Sequence, residues 1–119
     1  MVDPRYTKLA ELLIEHSTNL QSGEHILIEA FDMPYEMVAE LVKVTHHVGG
    51  HAHVALRDMR ILRALQANGE DAAFETWSEY DVERMKRMDA YIGMRGSHNV
   101  SEHSGIDPAR QKAWGQLYM

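Results

Sequence analysis

EHILIEAFDMPYEMVAELVKVTHHVGGHAHVALR, from Glu24 to Arg57, decides the fold. Ile26, Leu27 and Ile28 follow one another without a polar break, and an unbroken β-branched and apolar run suits a strand covered on both faces, as in a parallel sheet. Pro34 then opens a helix whose apolar positions, Met37, Val38, Leu41, Val42, Thr45 and Val48, recur at three- and four-residue spacing. Gly49-Gly50 closes it, because glycine enters the left-handed turn after a helix without steric cost. His51 to Arg57 is the next strand, with Ala52, Val54 and Leu56 on one face and His51, His53 and Ala55 on the other. A strand, a helix and a strand in this order predict a right-handed crossover between parallel neighbours.

Working outward, Asp3-Pro4 is a helix start: aspartate caps, and proline at the first helical position loses nothing through its missing N–H. Tyr6, Leu9, Ala10 and Leu13 give that helix an apolar face, and Gln21-Ser22-Gly23 ends it. Downstream, a short helix from Asp58 to Leu65 precedes the break at Asn68-Gly69. A longer one runs from about Glu70 to Arg87, acidic at its start and basic at its end, which suits the helix dipole. Asp89 to Met94 reads as a third strand, Gly96 to Gly105 as polar loop, and Asp107-Pro108 as the start of a last helix carrying Ala113, Trp114 and Leu117. Alternation of this kind predicts an α/β domain: a small parallel sheet with helices on both faces, a Rossmann-like three-layer sandwich. The chain ends soon after Trp114, Leu117 and Tyr118, a set of large apolar side chains that call for a neighbour.

Composition narrows the function. The chain of 119 residues is 45% hydrophobic and 25% charged, enough for one domain with a real core. A formal net charge of −6 argues against a nucleic-acid or anionic-membrane surface. The absence of cysteine removes disulfides, thiolate nucleophiles and cysteine-based zinc sites, and fits a reducing, cytoplasmic setting. No apolar run approaches the roughly 20 residues of a membrane span.

Chemistry-bearing residues cluster in two places. Open α/β sheets bind ligands beyond the carboxyl ends of their strands, and those ends hold Glu29 and Asp32, then Arg57, Asp58 and Arg60, then Arg95, Ser97, His98 and Asn99. Arg57, Arg95, His98 and Asn99 are the candidates there for a small polar ligand. No G-x-G-x-x-G follows the first strand and no phosphate-binding G-x-x-x-x-G-K-[ST] occurs, so a nucleotide site has no support. The second place is histidine-rich: His51 and His53 project to one strand face, a spacing that can seat a metal, with His46 and His47 just upstream. A metal site needs three or four ligands, and His98 and His103, with Glu102 between them, are the nearest further donors by sequence. The plainer reading, an edge or helix-covered strand face and a helix end that favours cations, is preferred for these histidines. Neither a G-x-S-x-G elbow nor a convincing carboxylate pair supports nucleophilic or acid–base catalysis.

Five segments taken together carry a family likeness: DPRYTKLAELL (Asp3 to Leu13), SGEHILIE (Ser22 to Glu29), GGHAHV (Gly49 to Val54), DAYIGMRG (Asp89 to Gly96) and NVSEHSGIDPAR (Asn99 to Arg110). In this order they resemble the N-terminal domain of the thermophilic-type metallo-aminopeptidases, leucyl-aminopeptidase-like exopeptidases of the aminopeptidase T kind. The resemblance spans essentially the whole chain. It implies a two-domain cytosolic homodimer that removes N-terminal residues from peptides with a pair of divalent metal ions such as Zn²⁺ or Co²⁺. It also implies that the ligands, Glu, His and Asp with an assisting Tyr, belong to a C-terminal catalytic domain outside this chain. No catalytic residue and no cofactor is therefore carried over onto these residues. The expected role is to frame the substrate cavity and support the dimer, with a chain that is by itself inactive. The alternative is a free-standing small-ligand or metal-binding module built on Arg57, Arg95, His98 and Asn99, or on His51 and His53.

Overall fold

A computed structural model of the chain describes residues 3–96. The elements follow the expected alternation. Helix α1 (Pro4–Glu11) passes into a π-helical turn (Leu12–Ser17), and β1 (His25–Phe31), α2 (Tyr35–His47) and β2 (His51–Arg57) form the crossover unit. Two consecutive helices, α3 (Met59–Asn68) and α4 (Asp71–Lys86), then lead to β3 (Ala90–Arg95). The helix expected from Asp107-Pro108, with Trp114, Leu117 and Tyr118, lies outside the described residues, as do His98, Asn99 and His103. Among the described residues no helix is long and apolar enough to cross a membrane.

Among the described residues all strands are parallel, in the order β2-β1-β3. The chain thus turns to one side of β1 for its second strand and to the other for its third, and β1 becomes the centre of the sheet. That position suits Ile26, Leu27 and Ile28, each buried.

Local chemistry explains the element ends. The Asp3 carboxylate accepts the Arg5 backbone N–H at 2.9 Å, which is the helix cap expected from Asp3-Pro4. At the end of α2, Gly49 takes φ +85° while its N–H bonds to His46 O and the Gly50 N–H to Thr45 O, the paired bonds of a Schellman stop. The first helix departs from a plain α-helix: the Thr18 N–H reaches back five residues to Leu13 O at 3.0 Å. This widened turn keeps both Leu13 and Ile14 fully buried.

Two unequal cores flank the sheet. On one face α1, the π turn and α2 pack Leu13, Ile14, Met37 and Leu41 against Ile26, Ile28, Ile92 and Met94. On the other, α4 contributes Met85 to a small cluster with Leu27, Ala55 and Tyr91, with Met88 alongside. Helix α3 buries no residue. The alternation along β2 is as expected, but the apolar row is the more open one: Val54 is 42% and Leu56 68% exposed, whereas Ala55 on the histidine face is buried. As an outer strand, β2 projects that row beyond the cover that α2 supplies.

Candidate functional site

At the carboxyl ends of the strands the register sets Phe31, Arg57 and Arg95 in one row, and Glu29, Ala55 and Gly93 in a row below it. Glu29 is the unusual member. A carboxylate on the middle strand of a sheet, 5% exposed, is costly to bury unless its oxygens are bonded and its charge is met. Both conditions hold. The Tyr91 hydroxyl donates to Glu29 Oε1 at 2.6 Å, and Arg57 Nε donates to Oε2 at 3.2 Å. Gly93 makes the first bond possible. A Cβ there would lie 2.8 Å from the Tyr91 hydroxyl, so the absence of a side chain is the space across which Tyr91 reaches Glu29.

Helix α4 completes the network. Asp81 Oδ1 stands 3.7 Å from an Arg57 terminal nitrogen and accepts from Arg84 at 2.8 Å. The Arg57 guanidinium also lies over the Trp77 ring, 5.2 Å from its centroid, and Arg95 lies over Phe31 at 5.0 Å. Two carboxylates and two guanidiniums therefore balance in a chain, Glu29 to Arg57 to Asp81 to Arg84, that ties β1 and β2 to α4, and the Tyr91 hydroxyl on Glu29 adds β3. Its charges are matched internally, which makes it a clamp and leaves Glu29 no open face for a proton-transfer role.

On the opposite face, a cleft of about 470 Å³ opens between α2 and β2. Val38, Val42, Val54 and Leu56 line it, with Asp32 and Asp58 among its walls. Asp32 has φ +57°, a left-handed conformation that Asp tolerates better than most residues, and its carboxylate accepts the Met59 backbone N–H at 3.4 Å. Asp58 caps α3: hydrogen bonds from the Arg60 side chain and backbone hold its carboxyl down at about 2.

The residues singled out from sequence are thus distributed as follows. Arg57 joins Glu29 and Asp81, Arg95 sits on Phe31, and His98 and Asn99 lie outside the described residues. His53 pairs with His25, whose Nδ1 is 2.9 Å from His53 Nε2, and the His51 ring stacks 4.7 Å from that of His25. Among the described residues no three His, Asp or Glu side chains converge to hold a metal ion. Sequence reasoning missed Tyr91 and His25. Both were findable by aligning the strands, because parallel register sets His25 beside His51 and Tyr91 beside Leu27, one step before Gly93 and Glu29.

Comparison with known proteins adds three findings. Residues 2–118 match the model of a family described as thermophilic metalloprotease (M29). A solved structure, wild-type AmpT from Thermus thermophilus, superposes with a TM-score of 0.63 at 20% identity, over 97% of this chain and 30% of that one. No curated protein matches the chain. The chain therefore spans less than a third of the length of the structure that it resembles.

Proposed function

Because the chain belongs to the thermophilic metalloprotease (M29) family, we propose that it forms the amino-terminal, non-catalytic α/β part of a cytoplasmic metal-dependent aminopeptidase that removes N-terminal residues from peptides. The observation that carries this reading is the pairing of full coverage on one side with partial coverage on the other: 97% of this chain, but 30% of the AmpT chain. Divalent ions are held, on this reading, by the remaining polypeptide, and this chain's own residues supply support. The Glu29, Tyr91, Arg57 and Asp81 clamp fixes the carboxyl edge of the sheet, the edge that on this reading borders the substrate cavity. The same domain supports a homodimer.

The test is direct. The 119-residue chain, incubated with aminoacyl chromogenic substrates and Co²⁺ or Zn²⁺, should give no turnover above the metal-only blank. Robust turnover would refute this division of labour, because a metal-activated water needs a complete ligand shell. Calorimetric titration with the same ions provides the second arm. Stoichiometric binding that His53→Ala abolishes would favour a free-standing metal-binding module over a supporting domain.

A further inference from the structure

Asn68 and Gly69, at the break between α3 and α4, form a reactive pair that the clamp does not use. A side-chain amide followed by glycine is open to attack by the next backbone nitrogen, since no Cβ on that residue obstructs the approach. The chain has three asparagines, and the other two precede branched residues, Leu20 and Val100. Asn68 and Gly69 are both exposed. Glycine is required here for another reason: a Cβ at 69 would lie 2.6 Å from Leu65 O, the carbonyl that accepts the Gly69 N–H at 2.7 Å and closes α3. The residue that ends the helix therefore also sensitises its last side chain. In the closed helix both reacting groups are occupied. The Gly69 nitrogen is tied to Leu65 O, and Asn68 Nδ2 donates to Ala64 O at 2.8 Å, one turn back. Ring closure thus requires the last turn of α3 to open. That opening is easy, because the helix is short, buries no residue and leaves Ile61 and Leu65 61% and 42% exposed. Its start rests on the Asp58 carboxylate, which accepts the Arg60 backbone N–H at 2.8 Å.

We propose that Asn68 is a self-modifying site, whose slow one-way conversion is gated by the opening of α3. The deprotonated Gly69 nitrogen attacks Asn68 Cγ, forming the N–Cγ bond of a cyclic imide as the Cγ–Nδ2 bond breaks and Nδ2 leaves as ammonia with a proton from water. Water then opens either carbonyl–nitrogen bond of the imide, giving aspartate or isoaspartate, and no oxidant or reductant takes part. The product cannot donate to Ala64 O, and it sets a carboxylate at the negative end of the α3 dipole. Each conversion therefore weakens the turn that guarded the site.

Mass spectrometry of tryptic digests tests the site on the 119-residue chain aged at mildly alkaline pH. The peptide spanning residues 64–84 should gain the mass of an amide-to-acid change and split into aspartyl and isoaspartyl forms, ahead of the peptides that hold Asn19 and Asn99. The gate is tested by rate. Asp58→Ala should speed the conversion about two- to thirtyfold, the range for a lost helix cap, and guanidinium chloride at an unfolding concentration should speed it further. Asn68→Gln should stop it. Should Asp58→Ala fail to fold, the comparison of native and unfolded wild type carries the gate alone. A peptide that stays unchanged even in the unfolded chain overturns the site. Equal rates in folded and unfolded chain, or a rate in folded Asp58→Ala equal to that of the wild type, overturn the gate. Conversion at Asn19 or Asn99 as fast as at Asn68 overturns the part given to Gly69.

Discussion

Removing one oxygen atom from Tyr91 tests the clamp most cleanly. Tyr91→Phe keeps the ring packed against Leu27 and Met85 and deletes the 2.6 Å bond to Glu29. Glu29 keeps its bond from Arg57 at 3.2 Å, so its charge remains buried with Oε1 unmet. A hydrogen bond to a charged group contributes about 1.5–3 kcal/mol, and short O–H to carboxylate bonds lie at the strong end. That is a sizeable share of the roughly 5–15 kcal/mol by which a domain is held folded. Urea unfolding followed by circular dichroism at 222 nm should show the midpoint lowered by roughly 1–2 M at unchanged slope. The matching cycle with Glu29→Gln should return a coupling of about 1 kcal/mol or more, as expected for contacting groups. A midpoint shift below about 0.3 M, or strictly additive effects in the cycle, would show that the hydroxyl does not hold the carboxylate.

Three further outcomes are expected. Gly93→Ala should push the Tyr91 hydroxyl off Glu29 and destabilise by about 1–3 kcal/mol, and Tyr91→Phe in that background should then have a much reduced effect; full additivity would separate Gly93 from the clamp. Thr7→Val should cost about 1–3 kcal/mol in urea melts, because it strips the 2.9 Å bond from buried Glu40 that pins α1 to α2; no change would mean that water serves Glu40 as well. Asp58 has its proton affinity depressed by Arg60, to about 2, so its contribution to α3 is present above pH 3.8 and lost as the pH falls towards 2. Amide exchange or NMR shifts of the first turn of α3 should follow that window in the wild type, and Asp58→Asn should flatten it.

Much of the fold was legible because its signals are local. The run Ile26 to Ile28 marked a strand covered on both faces, Asp3-Pro4 a capped helix start, and Gly49-Gly50 a helix stop. Each depends on residues a few positions apart. The carboxyl edge was also legible to the extent that Arg57 and Arg95 fall at strand ends. What stayed hidden depends on distant partners. Glu29 read as a strand-end charge until Tyr91, 62 residues on, supplied its hydroxyl. His51 and His53 suggested each other by spacing, whereas the real partner of His53 is His25, across the strand boundary. The exposure of Val54 and Leu56 follows from strand order, which no periodicity encodes: the same HAHVALR would be covered on both faces in the middle of the sheet. The π turn likewise left no mark, since Leu12 to Ser17 fit an ordinary helical stripe.

The strand order has a consequence on the time axis of synthesis. Residues leave the ribosome at about 5–20 per second. Glu29 therefore emerges roughly 3–12 s before Tyr91 does, and the central strand must wait that long for its third neighbour. During the wait β1, α2 and β2 can pair, but the α4 face of β1 has no cover and Glu29 has its charge still in water. A half-sheet at that stage would have its α2 face covered and its α4 face open to water. Glu29 meets the Tyr91 hydroxyl only once β3 has docked beside β1.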